Sequence, residues 1–298
     1  MVWLALGEEG VIAYGCMKTM RIVFVFAGAI FAAAFASGQA IDLYGVVKLY
    51  DVTQTSNSAP TAGATPYGFN AFVDGSGTFS GTYTVTYPGG TATPNPKTLT
   101  NESDGSFFEE GFAYADITAL NAAYNNGLYS LAIPNNGAAQ SVSGLNLTGD
   151  IYPDAPTIGG TWLNNRLQLD PTINNTITFS AFTLPSGSFG TGDRIFLSGE
   201  GVNYDAASTT AVMSFVINSG TLTAGQSYDF ELVFVNAVYT DTTSLTSTSD
   251  NVGLAGYVTI VNFQIQAIPE PSTFAAIFGG LALAGVMIHR HRRKGQVA

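Results

Sequence analysis

The 298 residues carry 21 acidic side chains against 10 basic ones, giving a formal charge of −11 and a pI near 4.3. Such a surface repels nucleic acid and anionic lipid headgroups, so neither is a partner for the body of the chain. The single cysteine, Cys16, rules out a disulfide framework, and the length suits one large domain or two small ones between terminal segments.

At the N-terminal end, Lys18 and Arg21 precede an apolar stretch from Ile22 to Phe35, and the small residues Ala36, Ser37, Gly38 and Ala40 follow. That charged, apolar, small-residue order is the pattern of a secretory signal, with cleavage expected after Gly38 or Ala40. Glu8 and Glu9 are acidic where a signal needs positive charge, so translation is expected to start at Met20 or Met17. Residues 1–40 therefore form the signal region, and Cys16 falls outside the mature protein. No cysteine follows the apolar run, which argues against a lipoprotein signal.

Between residues 41 and 268 only Lys48, Lys97, Arg166 and Arg194 oppose 18 acidic side chains. Thr, Ser, Gly, Asn, Tyr and Phe dominate, and short alternating runs recur between turn residues, the pattern of all-β sandwiches and barrels. Strands are expected over 46–54, 69–73, 78–87, 129–133, 141–147, 176–182, 194–198, 211–218, 228–235 and 255–266. In 78–87, Tyr83, Val85 and Tyr87 should share one face and Thr82, Thr84 and Thr86 the other, with Pro88-Gly89-Gly90 as the closing turn. One short helix is expected, capped by Asp116, running through Ile117, Leu120 and Tyr124 and ended by Asn125-Asn126-Gly127.

The segment from Leu222 through Gly225 to Tyr228 precedes a strong strand. It resembles the turn of fibronectin type III domains in which Leu-x-Pro-Gly-x-x-Tyr forms a tyrosine corner, with Ala224 standing in place of the proline. The resemblance implies a fibronectin-like or immunoglobulin-like sandwich over 141–268, in which Ile177 and Phe179 point inward. A separate β-rich module is then expected over 41–140, with one larger sandwich over the whole length as the alternative; the turn at Pro134-Asn135-Asn136-Gly137 suits either reading.

Absences decide the chemistry. No histidine or cysteine lies between residues 41 and 268, which excludes Ser-His-Asp and Cys-His catalysis and ordinary zinc sites within one chain. The hydrolase elbow and the phosphate-binding loop are missing too. Carboxylate catalysis needs two acids facing each other across a cleft, whereas adjacent Glu109 and Glu110 would point apart and read as loop charge. No cofactor is implied. Calcium is the cation that the acidic stretches 101–104 and 150–154 would suit, although neither has a calcium-loop spacing. Tyr44, Tyr50, Tyr67, Tyr83 and Tyr87 could stack on sugar rings, but in strands such residues usually pair with their neighbours.

The C-terminal segment carries the most specific signal. Pro269, Glu270, Pro271, Ser272 and Thr273 come first, then 15 uncharged residues from 274 to 288, then a basic cluster of Arg290, Arg292, Arg293 and Lys294 interrupted by His289 and His291. The prolines hold the entrance extended. As a helix the run spans roughly 22 Å, short of the roughly 30 Å hydrocarbon layer, and the basic residues after it favour the cytoplasmic side. The segment 269–295 resembles the PEP-CTERM sorting signal of Gram-negative bacteria. The resemblance implies a single membrane span before processing, recognition by an exosortase-type enzyme, cleavage near Pro269 to Pro271, and release or transfer to the envelope, often alongside exopolysaccharide and biofilm systems. The expectation is an exported, non-enzymatic surface or matrix protein. The alternatives are a carbohydrate-binding module or a carboxylate-dependent polysaccharide hydrolase or lyase.

Overall fold

The computed structural model describes residues 40–76, 81–102, 106–135, 138–184, 192–207, 213–245, 252–268 and 281–284. In chain order the elements are β1 (Ala40–Thr53), β2 (Thr61–Ser76), β3 (Thr84–Thr86), β4 (Lys97–Thr98), β5 (Thr100–Asn101), β6 (Phe107–Tyr114) and helix α1 (Ile117–Ala123). There follow β7 (Gly127–Asn135), β8 (Ala138–Leu147), β9 (Trp162–Leu163), β10 (Arg166–Leu169), β11 (Asn175–Thr178), β12 (Arg194–Gly199) and β13 (Val202–Ala207). β14 (Ser214–Ile217), β15 (Ser227–Asp241) and β16 (Val252–Ala267) complete the series.

The principal sheet runs β13-β12-β15-β16-β1-β2-β6-β5, with β10 beside β16 and β9 beside β10. At its centre β1 and β16 pair in parallel, from Leu43 opposite Val252 to Thr53 opposite Asn262. β1 belongs to the first expected module and β16 to the second, so this sheet passes through the expected boundary near residue 140 without a break. Hydrogen-bonded ladders join strands of the two segments in one sheet.

One face of the principal sheet carries two cores in succession. The sheet β4-β3-β7-β8 and α1 cover the first, around Tyr44, Val46, Phe69, Tyr83, Leu131 and Tyr257. The small sheet β11-β14 covers the second, around Phe179, Ile195, Phe215, Phe234 and Phe263. A third buried cluster on the opposite face includes Val47, Leu49, Phe72, Val233 and Val258. Central strands with both faces buried read as continuous apolar runs, as Phe230–Val235 does in part.

Around β3 the alternation is as anticipated: Tyr83, Val85 and Tyr87 are buried while Thr86 is exposed. The ladder there is only Thr84–Thr86, and residues 78–80 lie outside the described set. Asp116 caps α1 by accepting a hydrogen bond from the Ala119 amide at 2.8 Å. The Pro88-Gly89-Gly90 bend closes the other end, where Thr91 and Ala92 amides donate to the carbonyls of Ala122 and Ala123. Gly90 has φ 108° there, and a side chain would run into the Ala123 carbonyl oxygen at 2.1 Å.

The reading of Glu109 and Glu110 as loop charge is corrected. Both lie in β6, which pairs with β2, and Glu109 is buried. The expected strand over 176–182 is shorter, Asn175–Thr178, but Ile177 and Phe179 do point into the core.

Candidate functional site

The most unusual group in the interior is Lys48. Along β1 the residues facing the first core are Tyr44, Val46 and Lys48, so strand alternation carries an amine into an aromatic and aliphatic environment where it is fully buried. A buried ammonium is costly unless it is hydrogen-bonded, and two carboxamides meet it. Lys48 Nζ donates to Asn126 Oδ1 at 2.5 Å and also to Asn121 Oδ1.

Four separate pieces of chain bring these groups together: β1, α1 with the residues that follow it, the turn after β8, and β16. Asn121 sits on α1, whose start is fixed by the Asp116 cap. Asn126 follows the helix, immediately before Gly127, whose φ of 142° turns the chain into β7. Asp150 lies in the turn after β8 with φ 50°, a conformation that Asp tolerates better than most residues. Its two carboxylate oxygens accept from Asn121 Nδ2 at 2.8 Å and Asn126 Nδ2 at 2.9 Å. A carboxylate only accepts, so both amide nitrogens must face Asp150 and both amide oxygens must face the lysine. The Tyr257 hydroxyl, from β16, donates to Asn126 Oδ1 at 3.4 Å.

Burial pushes the Lys48 ammonium down from 10.5 to about 8, with the negative charge of Asp150 opposing. Burial likewise raises the phenols of Tyr129, Tyr152 and Tyr257; the charge of Asp150 adds to each, although at Tyr257 a backbone hydrogen bond from Asp150 opposes the rise more strongly. The cluster therefore holds an amine that is easily made neutral, two polarised carboxamides, one carboxylate and a phenol donor. Chemically this is a nucleophile, an electrophile, a proton carrier and an oxyanion donor within one hydrogen-bonded set.

Sequence reasoning did not single out Lys48, Asn121 or Asn126. The available signal was a lysine at an inward-facing position of a strongly apolar strand. Asp150, named as an oxygen donor of a calcium-suited loop, is engaged instead by the two amides. Asp154 accepts from the Thr183 hydroxyl. Among the described residues no three His, Cys, Asp or Glu side chains group in a way that could hold a metal ion.

A second charged group occupies the same core. Glu109 lies 3.4 Å from Lys97 Nζ and accepts from the Tyr87 hydroxyl at 3.4 Å. Burial raises its carboxyl above the ordinary range, and Lys97 and Tyr87 pull it back only in part. Glu110, facing the other way, supplies no partner acid across a cleft.

Of the five tyrosines considered as a sugar platform, Tyr44, Tyr83 and Tyr87 are buried. Tyr50 and Tyr67 are half-buried, stacked with centroids 5.0 Å apart, and Tyr152 meets them edge-on at 6.2 and 5.7 Å. They sit where the first core gives way to the second.

At the turn before β15, Leu222 is buried and Gly225 has φ 83°. The Tyr228 hydroxyl accepts from the Thr223 amide at 2.8 Å, which pins the turn to the strand that follows. The Gly225 amide donates to the Ala267 carbonyl at 2.7 Å and so ties the same turn to the end of β16.

Pro269, Glu270, Pro271, Ser272 and Thr273, and the cluster Arg290, Arg292, Arg293 and Lys294, lie outside the described residues, as does the expected N-terminal signal region before residue 40. Of the expected span 274–288 only 281–284 is described. It is helical, with Leu281 and Leu283 exposed. Among the described residues no helix is long and apolar enough to cross a membrane.

Fold and cluster together define an all-β, sheet-on-sheet protein with a buried lysine–amide–carboxylate network. No family model matches the chain, and no curated protein matches it. Among solved structures it is similar to the tandem Ig repeats of Dlar at 13% identity and TM-score 0.31, covering 76% of this chain and 98% of that one. It is also similar to the chicken CNTN1 FN1–FN3 domains at 10% identity and TM-score 0.22, covering 79% and 66%. A mutated variant of titin domains I67–I69 matches at 11% identity and TM-score 0.20, covering 76% and 66%.

Proposed function

We propose that the chain is an exported, non-enzymatic surface or matrix protein, delivered by its N-terminal signal and sorted through a PEP-CTERM-like tail. The carrying observation is the order of that tail: Pro269-Glu270-Pro271, a short uncharged apolar run, then Arg290, Arg292, Arg293 and Lys294. The run is marginal for a lasting anchor, and its stiff entrance suits a processing enzyme of the exosortase type. In this reading the β-sandwich body, with fibronectin-like turn chemistry at Tyr228, is what remains at the envelope or outside the cell. Its acidic surface keeps it soluble there.

Mass spectrometry of the mature C-terminus in the native cell, combined with fractionation, tests the reading. Wild-type protein should end near Pro269 to Pro271 in an envelope or extracellular fraction, and replacing Pro269 and Pro271 with alanine should leave the tail attached. An intact tail on cytoplasmic wild-type protein would overturn it. The half-buried Tyr50–Tyr67 pair supports a second reading as a polysaccharide-binding module. Retention on a polysaccharide column that is lost in Tyr50→Ala, without cleavage of the sugar, would favour that version.

A further inference from the structure

The lysine cluster goes beyond this reading and does not depend on it. We propose that Lys48 and Asn126 become joined by an amide bond between their side chains, formed by the folded chain itself with Asp150 carrying the proton. The reacting groups are already in contact, Lys48 Nζ lying 2.5 Å from Asn126 Oδ1. Each comes from a different element, so only the folded chain assembles them.

The reaction needs no outside reagent. The neutral amine of Lys48 leaves its hydrogen bond to Oδ1 and adds to Cγ of Asn126 across the carbonyl face. As the C–N bond forms, the carbonyl electrons move onto Oδ1, where the Tyr257 hydroxyl is the donor that stays in place. Asp150 takes a proton from the attacking nitrogen and delivers it to Nδ2, which it already contacts at 2.9 Å. The Cγ–Nδ2 bond then breaks and ammonia leaves. One amine and one carboxamide have become one secondary amide plus ammonia, with no change in oxidation state.

Burial matters twice. It disfavours the charged amine, and it keeps out the water that would compete for the carbonyl. Holding the two groups in contact replaces a slow bimolecular encounter with an intramolecular step. Asn121 shares the lysine and the carboxylate, but the Tyr257 hydroxyl lies at Asn126 Oδ1. That difference selects Asn126.

The test is the mass and peptide map of the full chain purified in its folded form. After its termini are mapped, the protein should weigh one ammonia less than its sequence requires. A digest should yield a branched peptide joining the segment of Lys48 to that of Asn126. Lys48→Met and Asp150→Ala should each restore the full mass, and denatured, reduced wild type should migrate faster than either on a gel. A full-mass wild type overturns the proposal. So does an ammonia loss confined to a linear peptide, as a cyclic imide at Asn126-Gly127 would give, or a branch at Asn121. The branched peptide is read in wild type, so the answer stands even if a variant fails to fold.

Discussion

Replacing Gly45 with alanine probes the shared sheet directly. Gly45 stands opposite Leu254 in the parallel β1–β16 ladder. A methyl group there would lie 2.0 Å from the Leu254 carbonyl oxygen and 2.9 Å from its carbon. No rotamer relieves the clash, because the obstacle is backbone at the centre of the sheet, so the strands must part. Parting them weakens several ladder hydrogen bonds, each worth about 1 kcal/mol net, and adds overpacking strain of about 1–3 kcal/mol. The expected loss is about 3–5 kcal/mol. Gly63→Ala on β2 is the control, since nothing lies within 4 Å of its new methyl, and its effect should stay within about 1 kcal/mol. Guanidinium unfolding followed by far-ultraviolet circular dichroism measures both. If Gly45→Ala is as stable as Gly63→Ala, or if it abolishes one of two separate transitions and spares the other, β1 is not held by β16 and the two segments fold independently.

Three further outcomes are expected. Burial lifts the Asp51 carboxyl from 3.8 to about 6 against an opposing hydrogen bond from Asn262, so as pH rises through that window the unfolded chain releases its proton first. Stability must therefore fall across the window and level off above it; Asp51→Asn should flatten that part of the pH–stability profile, and an unchanged slope would sink the assignment. Tyr228→Phe removes the bond to the Thr223 amide and should cost about 1 kcal/mol in equilibrium unfolding, while Tyr239→Phe, on a partly buried neighbour of the other core, is the comparison. Asp116→Ala removes the α1 cap and should cost about 1 kcal/mol. Because α1 carries Asn121, that variant should also speed hydrogen exchange of the Leu120 amide.

What could be read in advance was local. The alternation at Tyr83, Val85 and Tyr87 and the capping role of Asp116 follow from neighbours within a few residues, and the sequence carries them openly. β6 escaped because its residues, FFEEGFAY, show no alternation: both faces are partly covered, and Ala113 adopts φ 72°. The β1–β16 pairing escaped for a different reason. A parallel ladder between strands some two hundred residues apart is set by which apolar faces meet, and nothing local distinguishes it from two independent edges. The lysine cluster is the same problem at atomic scale. Lys48, Asn121, Asn126 and Asp150 are ordinary residues in ordinary contexts until the sheet and α1 converge.

The parallel ladder has a mechanical meaning. The chain enters β1 at one end of the sheet and leaves β16 at the other, so tension applied through the two termini pulls these strands past each other lengthwise. Force is then shared by the whole row of hydrogen bonds from Leu43 to Thr53 and does not open them one at a time from an end. A protein of this build held at one terminus and tugged at the other yields late and abruptly, and its rate of giving way under load, more than its equilibrium stability, sets how long it holds.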